Sequence, residues 1–319
     1  MRNLVTIRTV SELVEIPGAD RIELAKIDGW QAIVKKGEFT AGSQGVFFEI
    51  DSILPSTDTR FSFMDKSKFR VKTMKMKKVL SQGLLLPVSQ FTPEELANLD
   101  LIGVTKYEAP LPNAGTGEQK GNFPSFVPKT DQERIQNIPH VLNEINLFEC
   151  EITEKLDGTS FTAWFKDGQT GIASRNWEIK PDVPSWYSSA FHDNSLDAKL
   201  RALGRNLAIR GEIIGPSIQG NKYKREALTM YVFDIYDIDM GRYVNSGERL
   251  ELCKALGLNH VPLIPFTSLN LPENPGVDDL LKVADGMSSL HNTLREGLVF
   301  KGQARFKAIS NQWLLSGGE

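Results

Sequence analysis

Through the first hundred positions, apolar and polar residues alternate in short runs. LVTI, ELAKI, QAIVK, GVFFEI and GLLLPV are rich in β-branched and aromatic side chains. Between them PGAD, DGW, KKGE and AGSQG supply turn chemistry. The pattern predicts a small β-barrel or a sandwich over residues 1–107. In FTPEELANL a Thr at a cap position with Glu close behind predicts a short helix.

Residues 108–128 hold four prolines and three glycines with no periodic pattern, and are expected to form an inter-domain linker. Thr130 and Glu133 then have capping-box spacing, which predicts a helix starting there and broken or kinked near Pro139. FECEITEK, SFTAWF, NLAIRGEIIG, LTMYVFDIYDI and EGLVFKG read as strands. SLDAKLRALGRN and GERLELCKALGLN read as helices ending at Gly. The expected fold is α+β, with the second domain over residues 129–319 and no internal repeat.

A length of 319 residues fits two domains at roughly 150 residues each. With 40% hydrophobic and 24% charged residues, the composition excludes a mostly disordered chain. No apolar run approaches the length of a membrane helix, and the first residues lack the apolar core of a signal peptide. Cys150 and Cys253 provide no disulfide framework, so a reducing, cytoplasmic setting is expected. None of the four histidines has metal-ligand spacing with a cysteine, which leaves the chemistry to Lys, Asp, Glu and Arg. The net charge is −3, yet residues 60–78 contain eight basic residues and one acid, a concentrated stripe on an otherwise acidic chain. Within it Lys66, Lys68, Arg70 and Lys72 alternate with Ser67, Phe69, Val71 and Thr73. As a strand this would present one cationic face, either for nucleic acid or as a solvated edge.

Six strings could carry chemistry. In EKLDGTSF (154–161), Lys155 and Asp157 project to the same side in extended geometry, ahead of a glycine turn. That suits a covalent lysine nucleophile, although the tetrapeptide alone is more often a surface turn with a Lys–Asp pair. RGEIIGPSIQGNKY (210–223) presents Glu212 and TMYVFDIYDI (229–238) presents Phe233. Strict alternation there places Tyr231, Phe233 and Ile235 on one face, which by itself reads as core. REGLVFKG (295–302) is bounded by Glu296 and Lys301, and RFKAIS places Arg305 and Lys307 on one side of a strand, a pair that could hold phosphate. SRNWE adds Arg175, which could fork onto an oxygen acceptor or remain a surface arginine.

In this order and spacing the strings resemble the motif series of covalent nucleotidyltransferases, across residues 129–315. Ser160 stands where DNA ligases and capping enzymes usually carry Arg, and GPSIQGN after the glutamate is similar to RNA ligases. The chain ends shortly after the last motif, and ADRIELAKIDGWQAIV resembles an OB-type start placed before the catalytic part. The whole resembles the RNA ligase family with an N-terminal OB domain (the Deinococcus/Naegleria type, the fifth RNA ligase family). Arg305 departs from it, a lysine being usual there.

The resemblance implies an ATP-dependent RNA ligase acting in RNA repair. Lys155 takes AMP from ATP, passes it to an RNA 5′-phosphate, and a 3′-hydroxyl displaces it. Asp157, Glu212 and Glu296 would hold Mg²⁺ or Mn²⁺ through water. Glu154, Arg134, Arg175, Phe233, Lys301, Arg305 and Lys307 would bind the nucleotide, with Lys66, Lys68, Arg70 and Lys72 on RNA. A monomer without membrane contact is expected. The competing readings are a DNA ligase, a capping enzyme, and a nucleic-acid-binding protein with a dead catalytic domain.

Overall fold

The computed structural model describes residues 3–108, 117–129 and 131–318. The chain forms two compact units. One comprises Met1–Pro110, Pro275–Leu281 and Asn311–Glu319, the other Leu111–Asn274 and Lys282–Ser310.

In the first unit, antiparallel strands Val5–Thr9, Gln44–Glu49 and Gly83–Pro87 make one sheet, and Glu12–Glu15, Ile22–Ile27 and Trp30–Lys35 another. Ile27 pairs with Trp30 across Asp28 and Gly29, both at positive φ, the backbone that a tight two-residue hairpin requires. Strand Gln44–Glu49 is covered on both faces. Phe47 packs with Trp30, Ala25 and Leu85, whereas Val46 and Phe48 join Phe61, Leu86 and Phe91. Hence GVFFEI reads as a continuous apolar run rather than an alternation. Helix Pro93–Ala97 begins at the capping box of Thr92 and Glu95, in line with its sequence.

The basic stripe departs from expectation. It is not one strand: Thr59–Ser67 is a 3-10 helix, Lys68 and Phe69 are left-handed, and Met74–Met76 is a short strand paired with Val79–Ser81. The cause is packing. Phe61 and Val71 both enter the core, so the chain must turn between them. Lys66, Lys68 and Lys72 stay exposed. Arg70 instead pairs with Asp51 at 2.6 Å and lies 3.5 Å over the Tyr107 ring.

The second unit has a large sheet and a small one. The large sheet runs in the order Gln119–Asn122, Trp177–Ile179, Gln169–Ala173, Thr159–Lys166, Leu207–Ile214, Thr229–Asp237 and Arg242–Tyr243. Asn259–His260 pairs parallel with Thr229–Asp237. One face carries Phe161, Ile209, Ile213, Val232 and Ile235 in the main core, which also takes in residues of helices Trp186–Asp193, Leu196–Leu203 and Ser246–Ala255. The small sheet runs Glu133–Arg134, Arg305–Ile309, Gly297–Lys301 and Glu151–Lys155.

Three boundaries change. Gln119–Asn122, assigned to the linker, is a strand paired with Trp177–Ile179, and Phe126 packs edge-on to Trp164 at 5.1 Å. Its glycine and lysine hid a strand held by backbone pairing rather than by its own apolar side chains. Residues 109–116 of the same stretch lie outside the described residues. The helix expected from Thr130 is replaced by strand Glu133–Arg134 and 3-10 turns Ile135–Asn137 and Pro139–Asn143, with Thr130 itself outside the described residues. Parallel pairing of Arg134 with Lys307 and complete burial of Ile135 outweigh the capping signal. Finally, Asn311–Leu315 groups with the first unit: Lys75 Nζ donates to the Leu315 carbonyl at 2.6 Å, and Gln82 Nε2 to Asn311 Oδ1 at 3.1 Å.

Candidate active site

The small sheet sorts its residues by the two-residue period of a strand. Lys155, Thr153 and Glu151 pair with Gly297, Val299 and Lys301, which pair in turn with Ile309, Lys307 and Arg305. One face therefore carries Lys155, Lys307, Lys301 and Arg305, with Arg134 alongside Lys307. The alternate positions, Ile152, Leu298, Phe300 and Phe306, are buried and apolar, and Phe300 stacks on Phe306 at 4.9 Å.

Lys155 ends its strand opposite Gly297, which brings Glu296 alongside. Lys155 Nζ donates to Glu296 Oε2 at 2.7 Å. Burial presses the ammonium towards neutrality, but Glu296, Glu212 and Asp157 outweigh it and hold the Lys155 pKa above its ordinary value. Across the turn Leu156–Gly158, Ser160 pairs with Glu212 and sets that carboxylate on the site side of the large sheet. A Cβ on Gly158 would lie 2.4 Å from the Ile213 carbonyl, so only glycine allows this approach. Burial, then Glu296 and Asp157, push the Glu212 pKa up to about 8 against the opposing pull of Lys155. Lys307 moves the other way, down to about 7, through burial and the positive charges of Lys155 and Arg134.

Asp157, Glu212 and Glu296 surround one lysine, a set of oxygen donors suited to a divalent cation. Among the described residues no three acidic or imidazole side chains converge closely enough to ligate a metal directly.

The large sheet corrects the face assigned to its aromatic strand. Arg210 pairs with Asp234 and Gly211 with Val232, leaving Phe233 as a bulge. Tyr231 and Phe233 pack with Leu156 and Ile214 beside the lysine turn, whereas Ile235 joins Val232 in the main core. Asp234 accepts both hydrogen bonds of a fork from Arg305 Nη2, at 2.6 Å each, and Lys301 Nζ lies 3.4 Å from it. Lys301 also donates to the Phe233 carbonyl and pairs with Glu151 at 3.3 Å. Burial lowers the Lys301 pKa, opposed by Asp234 and Glu151. Arg305 and Lys301 thus belong to an Asp234-centred group, while Lys307 and Arg134 are the cations registered beside Lys155.

The remaining candidates spread out. Glu154 points away from Lys155, buried, accepting from the Ser289 N–H at 2.8 Å. Arg175 is exposed and pairs with Asp131 at 2.7 Å. The stripe lysines Lys66, Lys68 and Lys72 belong to the first unit. Two residues of the quoted strings were not singled out. Lys222 Nζ donates to Asp157 Oδ2 at 2.5 Å, and Tyr223 Oη accepts from the Asp157 N–H at 2.8 Å. Arg249, which bonds Glu151 and His260, had no sequence signal.

An OB-fold domain model matches residues 4–88 and an RNA ligase model residues 148–312. No curated protein sequence matches the chain. Solved structures do. Naegleria gruberi RNA ligase with PPi is 40% identical over 99% of both chains, with a TM-score of 0.85. An alanine variant of the same Naegleria gruberi enzyme with ATP and Mn is 40% identical over 98% of this chain and 99% of the other, at the same TM-score. Another, with AMP and Mn, covers 99% of both chains at 40% identity and a TM-score of 0.85.

Proposed function

This chain belongs to the RNA ligase family and is an ATP-dependent ligase with an N-terminal OB-fold domain, and we propose that Lys155 is its nucleophile in sealing RNA 5′-phosphate to 3′-hydroxyl ends. The observation that carries this reading is Lys155 Nζ at 2.7 Å from Glu296, with Glu212, Asp157 and Lys307 around it.

Lys155 Nζ, once neutral, attacks the α-phosphorus of ATP. The P–N bond forms and pyrophosphate leaves. An RNA 5′-phosphate oxygen then attacks the same phosphorus and the lysine leaves, giving RNA-adenylate. A 3′-hydroxyl attacks the activated RNA phosphate and AMP departs. In each step positioning and charge neutralisation dominate. A divalent ion, Mg²⁺ or Mn²⁺, held by Asp157, Glu212 and Glu296 through water would neutralise phosphate and favour neutral Lys155. Lys307 and Arg134 face the phosphates, with Arg305 and Lys301 behind them on Asp234. Phe233, pushed towards Leu156 by the bulge, stacks on adenine. Arg175 contacts ribose or the RNA end. Lys66, Lys68 and Lys72 contact RNA phosphates. The buried free thiols Cys150 and Cys253 suit a cytoplasmic setting, and no helix among the described residues is long and apolar enough to cross a membrane.

Incubation with ATP labelled at the α-phosphate, followed by peptide mapping, tests the reading. Label on the Lys155 peptide is expected, and label absent or on another lysine overturns it.

A further inference from the structure

Asp157 is held from two sides by one loop. Tyr223 Oη accepts from its backbone N–H and Lys222 Nζ bonds its carboxylate at 2.5 Å. The Lys222 side chain is 30% exposed and that of Asp157 is 9% exposed. The loop is built to keep them there. Ser217, Gln219, Asn221 and Lys224 all hold left-handed backbones without being glycine, conformations that persist only where the surroundings over-determine them. Asn221 exchanges two hydrogen bonds with the Arg225 backbone, and Arg225 reaches Tyr231 Oη.

We infer that Lys222 is a positioning residue that stands in for the divalent cation at Asp157 when the site holds no metal. The argument is electrostatic. Asp157 is nearly buried and close enough to act on both Lys155 and Glu212. A buried carboxylate without a cation is unfavourable and would add to the repulsion among three neighbouring acids. An ammonium at 2.5 Å removes that penalty, and its partly exposed, flexible stem lets it swing away. A metal arriving with its water shell must therefore displace or share Asp157 with Lys222. The lysine so sets the metal concentration at which the site fills, and keeps Asp157 oriented before it does. This inference rests on the assignment of Asp157 to the metal site.

The test is titration of the full-length protein with Mn²⁺ alone, free Mn²⁺ being read by electron paramagnetic resonance. Lys222→Met is expected to bind Mn²⁺ more tightly, on the order of fivefold, the scale of one partly exposed ion pair. Asp157→Asn is expected to weaken binding, and the double variant to match Asp157→Asn. Unchanged or weaker Mn²⁺ binding by Lys222→Met, with Asp157→Asn still weakened, overturns the stand-in role while leaving the metal site intact. Parental affinity in Asp157→Asn overturns the metal assignment itself, and the inference with it.

Discussion

Lys155 separates the steps of the reaction. With Lys155 as the proposed nucleophile, its amine takes AMP from ATP, so Lys155→Ala should form no covalent adenylate and yet still join pre-adenylated RNA to a 3′-hydroxyl, more slowly. Arginine there should not restore the first step, since it stays protonated. Mass spectrometry of the adduct and a ligation gel read the two outcomes. Glu212 supplies a pH prediction. Its folded pKa, about 8, lies above the ordinary carboxylate value of 4.5. The folded state therefore binds the extra proton between these values. The stability tied to that proton is present at low pH and is lost as pH rises through about 8. In metal-free protein, Glu212→Gln should flatten the fall in thermal stability between pH 5 and 8. Metal binding should conversely weaken as pH drops below 8, because the ion must displace that proton. A Glu212→Gln protein with the parental pH slope would refute the buried, protonated carboxylate.

Between elements, close backbone approach decides more than side-chain identity. Gly158→Ala would place a Cβ 2.4 Å from the Ile213 carbonyl and 2.9 Å from Glu212 Cγ. The strands must part, which should cost about 1–3 kcal/mol by denaturant melting and displace Glu212 from Lys155, so adenylylation should fall much further than stability. The basic segment divides by its turns. Lys66, Lys68 and Lys72 are exposed, and their joint neutralisation should flatten the salt dependence of RNA binding by roughly one unit per lost phosphate contact. Arg70 is engaged by Asp51 and Tyr107. Arg70→Ala should instead lower the melting temperature, by about 1 kcal/mol of stability, with a smaller effect on the salt slope.

At the scale of the whole chain, the first unit takes its last elements from far downstream. Trp313 and Leu314 are 2% and 3% exposed, and Asn311–Glu319 groups with residues before 110. Trp313→Ala should therefore destabilise by about 3–5 kcal/mol. Hydrogen exchange should show the lost protection in the strands of the first unit, including Val79–Ser81, rather than in strand Glu151–Lys155. Loss confined to residues 119–310 would contradict the grouping.

Lys155, Asp157, Glu212, Glu296 and Lys307 were grouped from the resemblance of their motifs, and the structure brings their side chains near one another. Lys155 and Asp157 sit two apart at a glycine turn, and Arg305 and Lys307 two apart on a strand. A small barrel or sandwich was legible from short strands and glycine-rich turns, and the OB type from the resemblance that the matching domain model bears out. What lay beyond the sequence depends on partners distant along the chain. The Phe233 bulge reverses the face of Ile235, and exists because Gly211 skips a residue in pairing. Burial of Phe61 and Val71 bends the basic stripe out of a strand, and pairing to Trp177–Ile179 turns a glycine-rich linker into one. The Lys222–Asp157 pair joins residues 65 positions apart. Periodicity records which face of an element is apolar; only packing decides which element it meets, and therefore which charges come within reach of Lys155.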